Sequence, residues 1–211
     1  MTNESNTPRI ITLNDYSDVT DDVKDRIINN DLDILQVNYN CDDDSLSPFY
    51  KMHNLTKIKF QIKLGDKVKS LFEFFYNCKA LKDVPKFNTE KVTNMEAMFE
   101  FCDSLESVPL FDTRSVKDMS SMFAFCKALK DVPKFNTEKV TSMANMFEYC
   151  YTLISVPLFD TRRVSDMSYM FASCRALKDV PKFNTEKVSN MIKMFRDCNA
   201  LESTWHLEEI D

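Results

Sequence analysis

Six cysteines recur every 24 residues, and their thiols have the widest chemistry of any side chains in this sequence. They are Cys78, Cys102, Cys126, Cys150, Cys174 and Cys198. Stacked repeats would bring equivalent Cα atoms to about 5 Å, close enough for disulfides. A tetrahedral zinc site instead needs closely spaced pairs such as C-x-x-C, and the sequence has none. Each cysteine lies among methionine and phenylalanine, so we expect six reduced, buried thiols, as is typical of a reducing compartment.

Other residues that could catalyse a reaction or bind a metal are sparse. The chain has two histidines, His53 and His206, and a single glycine, so it has no glycine-rich phosphate-binding loop. Cys41 lies outside the repeats and is expected to be the most reactive thiol. The aspartates at 42–44 could bind calcium, but no glycine turn or bidentate glutamate follows, so a solvated acidic loop is expected. We therefore expect no enzymatic activity, no cofactor and no metal site.

The cysteines belong to a sequence repeat with the consensus V-x-x-M-x-x-M-F-x-x-C-x-x-L-x-x-V-P-x-F-x-T. Four full copies start at Val92, Val116, Val140 and Val164. A fifth starts at Val188 and loses its end, and a divergent copy precedes the four. We name each copy by its cysteine. A fixed period of this length is typical of a solenoid, whose terminal repeats drift because they close the core against water.

Each repeat is expected to contain two short elements. Apolar residues from 92 to 102 step by 3, 3, 1 and 3, which places them on one face of a short helix. The residues at the expected N-cap are Thr93, Thr141, Ser165 and Ser189. Residues 105–111 are a short run bounded by proline, which predicts a brief strand. Strands stacked at about 4.8 Å would form a parallel sheet along one side of the apolar interior.

The order C-x-x-L-x-x-V-P followed by F-[DN]-T-x-x-V-x-x-M-x-x-M-F-x-x-C, over roughly residues 64–204, resembles the BspA-like leucine-rich repeats. It is most similar to the Met-Phe-Cys type of mycoplasmal and other bacterial surface proteins. The resemblance implies a curved leucine-rich-repeat-like solenoid used for binding, often in adhesion, and supplies no catalytic residues. We therefore predict an α/β fold, a right-handed solenoid of 24-residue units over residues 61–211, with short parallel strands and short helices.

Residues 1–60 are expected to form an N-terminal cap. Residues 21–30 predict a short helix with Val23, Ile27 and Ile28 facing inward. Apolar patterns at 32–37 and 55–60 predict two strands, and the polar residues 1–8 are expected to be disordered. The acidic residues of 1–50 are expected to complement the lysine-rich residues of 51–69. A patch for nucleic acid or anionic lipid is the alternative, but it lacks interleaved aromatic and arginine residues, so no nucleic-acid partner is expected.

The sequence gives opposing indications of location. No apolar run is long enough to span a membrane, so no transmembrane segment is expected. The first residues include no basic and apolar stretch typical of a signal peptide. This feature and the expected reduced thiols favour the cytoplasm, whereas the family resemblance favours the cell surface.

Charged residues alternate along the repeats with a period of 48, because V-P-K-F-N-T-E-K copies alternate with V-P-L-F-D-T-R copies. One set of equivalent positions reads Glu90, Arg114, Glu138, Arg162 and Glu186. Stacking would place opposite charges side by side and would penalise slippage by one repeat. These charges are therefore predicted to be structural, and the pattern indicates duplication of a two-repeat block.

Surface positions that break the repeat pattern are the candidates for binding. Tyr151 and Ile154 replace mostly charged residues, and Leu158, like Leu110, occupies a position that is lysine in other copies. A second candidate is the set that precedes the cysteines, formed by Phe101, Phe125 and Tyr149. These aromatic residues could equally cover the edge of the core.

The favoured function is a non-enzymatic module that binds another protein, and the sequence leaves the oligomeric state open. Two alternatives remain: a structural or assembly component of a virion or surface layer, and an enzyme or inhibitor whose site the sequence does not reveal.

Overall fold

The computed structural model describes residues 9–13, 18, 20–29, 34–40 and 47–202. Its named elements are β1 (Arg9–Leu13), α1 (Asp21–Ile28), β2 (Ile34–Tyr39) and β3 (Gln61–Leu64). The three strands form a parallel sheet in the order β1-β2-β3, in which Val37 pairs with Ile11 on one side and Ile62 on the other.

The predicted cap helix is confirmed. The side chain of Thr20 accepts a hydrogen bond from the backbone N–H of Val23, and two aspartates occupy the first turn, where the helix dipole favours negative charge. Ile27 is fully buried, and Val23 and Ile28 pack partly buried against the core. The cap helix therefore follows the local capping and hydrophobic signals.

The predicted cap strands are only partly correct. β2 covers residues 34–37 of the predicted 32–37 strand and continues to Tyr39, while residues 32 and 33 lie outside the described residues. Residues 55–60 are not a strand, and β3 instead begins directly after them. Leu55, Ile58 and Phe60 are nevertheless buried, so the apolar pattern identified core residues but not their backbone conformation.

Successive repeats lie beside one another in register. Isolated parallel bridges join residues that are 24 positions apart, from Ser70 with Asn94 through to Asp166 with Asn190. The same register places equivalent phenylalanines in a stack with neighbouring ring centroids 5.3–5.7 Å apart, buried except at its last ring, Phe195. This stack runs through Phe75, Phe99, Phe123, Phe147, Phe171 and Phe195. The repeat positions Met95, Phe99, Cys102 and Leu105 are all fully buried, as predicted.

The helix predicted at residues 92–102 is wrong. The backbone N–H groups of Met95, Ala97, Phe99 and Phe101 donate to carbonyls of the following repeat. The N–H groups of Met98 and Glu100 instead donate to carbonyls three residues back in their own repeat. Ala97 and Phe101 have positive φ values of 53° and 61°, which an α-helix excludes. The segment is therefore a series of turns, each tied to the next repeat.

The predicted N-cap residues have a different role. The hydroxyl groups of Thr93, Thr141, Ser165 and Ser189 each donate to the backbone carbonyl 24 residues earlier, so they link neighbouring repeats.

The strands predicted at residues 105–111 and at the equivalent residues of other repeats are also absent. The described residues have one isolated bridge there, between Ser155 and Asp179. Proline in each of these segments removes an N–H group that a strand ladder would need. The sheet predicted along this side of the repeats is therefore wrong.

A buried polar ladder replaces part of the expected sheet. Thr89, Thr113, Thr137 and Thr161 are at most 2% exposed. Each hydroxyl donates to the carbonyl 23 residues later in the next repeat, at 2.8–3.0 Å. A buried hydroxyl without a hydrogen-bond partner would destabilise the fold. Each threonine finds its partner only when the next repeat is stacked in register.

Candidate partner-binding surface

Three large apolar side chains of the repeats are half exposed at the predicted positions. The exposed fractions are 50% for Leu110, 51% for Ile154 and 53% for Leu158. Ile154 and Leu158 lie in the Cys150 repeat, where Tyr151 is partly buried. We call Tyr151, Ile154 and Leu158 the Cys150 patch.

The register of the repeats surrounds the Cys150 patch with cationic side chains. The backbone N–H of Lys178 donates to the carbonyl of Ile154 at 3.0 Å, so these residues are direct neighbours. Leu158 has the exposed lysines Lys134 and Lys182 at the equivalent positions of the two adjacent repeats. The guanidinium of Arg175 lies over the ring of Tyr151, 4.9 Å from its centroid. The apolar side chains of the patch thus lie beside cationic side chains of the adjacent repeats.

The second predicted group, Phe101, Phe125 and Tyr149, is brought together as a ladder of stacked rings. Neighbouring centroids are 4.4 Å and 4.5 Å apart. Tyr149 also contacts Tyr151 edge to face, with centroids 6.0 Å apart. The aromatic ladder and the Cys150 patch are therefore continuous through these two tyrosines, a contact that sequence spacing did not reveal. Because the rings cover one another's faces, the ladder presents mainly ring edges to a partner.

The aromatic ladder has an unusual backbone. Phe101, Phe125 and Tyr149 have φ values of 61°, 61° and 59°, a left-handed conformation that bulky residues rarely adopt. The N–H groups of these residues donate to carbonyls of the next repeat at 2.7–2.9 Å, which holds the conformation in place. Ser121 and Lys193, at a second set of equivalent positions, have the same conformation. The backbone strain is therefore a property of the repeat and does not by itself mark a binding site.

Acidic residues beside the aromatic ladder form a cluster that sequence reasoning missed. The pKa of Glu100 is raised to about 7, mainly by burial and additionally by the nearby carboxylates of Glu73, Glu148 and Glu96. Burial also raises the pKa values of Glu73 and Glu148. The spacing of 48 residues between Glu100 and Glu148, two repeat lengths, could have indicated from sequence that they share one side of the repeats. Their partial burial, however, depends on how the repeats stack.

Replacing Glu100 by glutamine is expected to remove one source of pH dependence. The folded chain holds the Glu100 proton more tightly than the unfolded chain, because the folded pKa is about 7 and the ordinary value is 4.5. The free energy of unfolding should therefore fall as pH rises between these two values, and the E100Q variant should lack this component. Denaturant titrations at about pH 5 and about pH 8 measure the difference. The exposed Glu90→Gln change is the control, and an equal pH dependence in E100Q and the wild type would contradict the assignment.

An open groove of about 740 Å³ lies around Leu110, which occupies the repeat position equivalent to Leu158. Its charged lining consists of Lys86, Asp112, Arg114, Lys134, Glu138 and Lys139.

The arginines of the alternating charge pattern form ion pairs within their own repeats. Arg114 is paired with Asp112 at 2.8 Å, and Arg162 is paired with Asp160 at 2.6 Å. Each arginine thus forms its ion pair with the aspartate two residues before it. The glutamates of the preceding repeats, Glu90 and Glu138, still lie near enough to help raise the pKa values of Arg114 and Arg162, as the alternation of charges predicted. Ion pairs between repeats join Asp66 to Lys91, Asp103 to Lys127 and Glu106 to Lys130.

The thiols of the six repeat cysteines are poorly suited to act as nucleophiles in the folded chain. The six repeat cysteines are unpaired, and Cys102, Cys126, Cys150 and Cys174 are fully buried. Each of their Sγ atoms donates to a phenylalanine carbonyl 27 residues earlier, at 3.0–3.1 Å. Burial raises the pKa of Cys78 to about 12 and that of Cys198, which is only partly buried, to about 11. Very little reactive thiolate can therefore form.

Some predicted features lie outside the described residues. These are residues 1–8, Cys41, the aspartates at 42–44, His206 and the divergent end of the last repeat. Within the part of the chain that the structure describes, no group of three or more His, Cys, Asp or Glu side chains is arranged to hold a metal ion. No helix among these residues has the length and apolarity needed to cross a membrane.

Solved structures share this fold. A leucine-rich repeat protein of T. pallidum is 20% identical, with a TM-score of 0.59 over 84% of this chain and 79% of that one. A leucine-rich repeat protein from Eubacterium ventriosum is 19% identical, with a TM-score of 0.57 over 82% of this chain and 43% of that one. The expected resemblance to BspA-like leucine-rich repeats is confirmed.

Comparison at the level of sequence families is more specific. No curated protein matches the chain. The model of one family matches residues 69–177 and 130–210, which together span the repeats. The chain therefore belongs to the family described as Mycoplasma protein of unknown function, DUF285.

Proposed function

We propose that this chain is a non-enzymatic protein-binding module, in which a right-handed solenoid of 24-residue units over residues 61–211 follows a cap at residues 1–60. The partner binds the Cys150 patch, with Leu110 and the aromatic ladder of Phe101, Phe125 and Tyr149 as its extension. The single observation that carries this proposal is the half exposure of Ile154 and Leu158 on a surface whose equivalent positions are mostly charged.

Exposed apolar area supports binding for an energetic reason. Covering apolar surface contributes about 25 cal/mol per Å², and interface centres are enriched in large side chains such as tyrosine. The contact of Tyr151 with Tyr149 and Arg175 holds its ring in one orientation before any partner arrives. A preorganised anchor loses less conformational entropy on binding.

The chemistry of the described residues supports binding over catalysis. The buried thiols have raised pKa values, and the groove around Leu110 has an Arg114–Asp112 pair in its lining. A nucleophile needs a lowered pKa or an adjacent base, and the buried cysteines have carbonyl partners instead. The repeat architecture of the leucine-rich repeat neighbours also supports an interaction role.

The triple variant Tyr151→Lys, Ile154→Glu, Leu158→Lys is expected to weaken partner binding by about thirtyfold or more. The substituted residue types occur at equivalent positions of other repeats, so the fold should tolerate them. Affinity capture from the native cell with the wild type and the variant, followed by titration of the recovered protein, measures the effect.

The control for this experiment is Lys57→Glu, a charge reversal at an exposed residue outside the repeats. It should leave the affinity unchanged. A folded triple variant that binds its partner as tightly as the wild type would exclude the Cys150 patch. Ordered oligomers that form at rising concentration without any partner would favour the assembly alternative.

A further inference from the structure

The Cys102 and Cys150 repeats are an internal matched pair. Both contain the segment S-V-P-L-F-D-T-R, at residues 107–114 and 155–162. Three positions around that segment differ in charge: Asp103 becomes Tyr151, Glu106 becomes Ile154, and Ser115 becomes Arg163. The Cys102 repeat therefore shows what each position does when the usual residue is present.

In the Cys102 repeat the two carboxylates neutralise the next repeat. Asp103 forms an ion pair with Lys127 at 3.1 Å, and Glu106 forms one with Lys130 at 2.7 Å. The Lys130 pair also includes a backbone bond, from its N–H to the carbonyl of Glu106 at 3.3 Å. Both cations are therefore satisfied within the chain.

At the Cys150 repeat the carboxylates are gone, but the cations of the following repeat remain. Arg175 and Lys178 occupy the positions of Lys127 and Lys130. Arg175 lies over the Tyr151 ring, and Lys178 keeps its backbone bond to Ile154 at 3.0 Å but forms no ion pair with any described residue. The loss of two carboxylates and the gain of Arg163 shift the local charge by +3 relative to the Cys102 repeat.

We propose that the partner at the Cys150 patch is a protein segment that supplies the missing carboxylates around an apolar anchor. Its Asp or Glu side chains pair with Lys178 and Arg175, and its apolar residue rests on Ile154 and Leu158. This inference rests on the proposed function and names the chemistry of the partner. Charge-assisted hydrogen bonds formed beside a desolvated apolar contact are stronger than exposed ion pairs, and complementary charge accelerates association.

The arrangement favours a protein over a nucleic acid. The cations flank exposed apolar side chains, and the exposed carboxylates of Asp131 and Asp179 lie on the same side of the repeats as Ser155. A continuous phosphate backbone would be repelled by these carboxylates and would leave Ile154 and Leu158 uncovered. A peptide can place one carboxylate next to each cation and an apolar side chain between them.

A selection experiment tests this inference without a known partner. Random peptides of ~12 residues are selected on the folded wild-type chain and counter-selected on the variant Tyr151→Asp, Ile154→Glu, Arg163→Ser, which restores the Cys102 pattern. The recovered peptides should be rich in Asp and Glu next to large apolar residues. Their affinity should fall about tenfold or more in the reverted variant and should weaken with added salt.

The outcomes separate the two proposals. The reverted variant should unfold at a denaturant concentration no lower than the wild type, since it regains carboxylates beside Arg175 and Lys178. Discriminating peptides without acidic enrichment would overturn the acidic partner and leave the proposed function standing. Failure to obtain any peptide that distinguishes the two proteins would contradict binding at this patch. A single-stranded oligonucleotide that binds the wild type more tightly than the peptides, and not the variant, would overturn the choice of a protein partner.

Discussion

Replacing Phe123 by alanine is expected to lower the free energy of unfolding by about 3–5 kcal/mol. The side chain is fully buried, and its ring lies between those of Phe99 and Phe147 at centroid distances of 5.6 Å and 5.7 Å. The backbone of Phe123 is bonded to the following repeat through both of its polar groups, since its N–H donates to the Met146 carbonyl and its carbonyl accepts from the Cys150 thiol. The surrounding repeats therefore cannot collapse easily into the cavity. Urea or guanidinium titration measures the loss.

The control for this core substitution is Lys127→Ala in the same repeat. Lys127 is exposed and forms an ion pair with Asp103, and exposed pairs contribute about 0–1 kcal/mol. The two variants should therefore differ clearly in denaturation midpoint. A loss for Phe123→Ala as small as that for Lys127→Ala would refute the buried ring stack.

The second large effect is expected in thiol labelling. The buried repeat cysteines should react at least about a hundredfold more slowly in the folded chain than in denaturant, because labelling then requires opening of the repeats. Their raised pKa values further reduce the thiolate that reacts. Among the six, Cys198 should react first, since it is only partly buried. Intact-mass measurement over time counts the thiol labels attached to the chain.

The labelling experiment has an internal reference in Cys41, which is predicted to be the fastest thiol of the chain. Labelling in denaturant should reach all seven cysteines at similar rates. Fast modification of Cys126 or Cys150 in the folded chain would contradict their burial. Disulfides among the six repeat cysteines would overturn the reduced ladder and would favour an oxidising compartment.

The burial of the repeats could be predicted from sequence because it depends on a local pattern. Val, Met, Phe, Cys and Leu recur at the same positions of the four full copies, and an apolar residue repeated in this way must face a shared interior. Met95, Phe99 and Cys102 are accordingly fully buried. The cap helix was predictable for a similar reason, since Thr20 and the two following aspartates form a local helix start.

The backbone conformation of the repeats could not be predicted in the same way. Apolar steps of three residues suit consecutive turns as well as a helix, and the sequence pattern does not distinguish them. The deciding hydrogen bonds, such as that from Phe99 to Met122, join residues in different repeats. The left-handed residues Phe101 and Phe125 carry no glycine or asparagine signal that would reveal their φ values.

The sequence by itself determined the repeat, the buried residue types and the positions where Tyr151, Ile154 and Leu158 interrupt a charged pattern. The tertiary structure alone decided that Tyr149 touches Tyr151, that Arg175 covers the Tyr151 ring, and that Lys178 lies beside Ile154 without an ion pair among the described residues. The physical reason is distance along the chain. Partners that lie 24 residues apart become neighbours only when repeats stack in register, and stacking also decides which charges stay exposed and unneutralised.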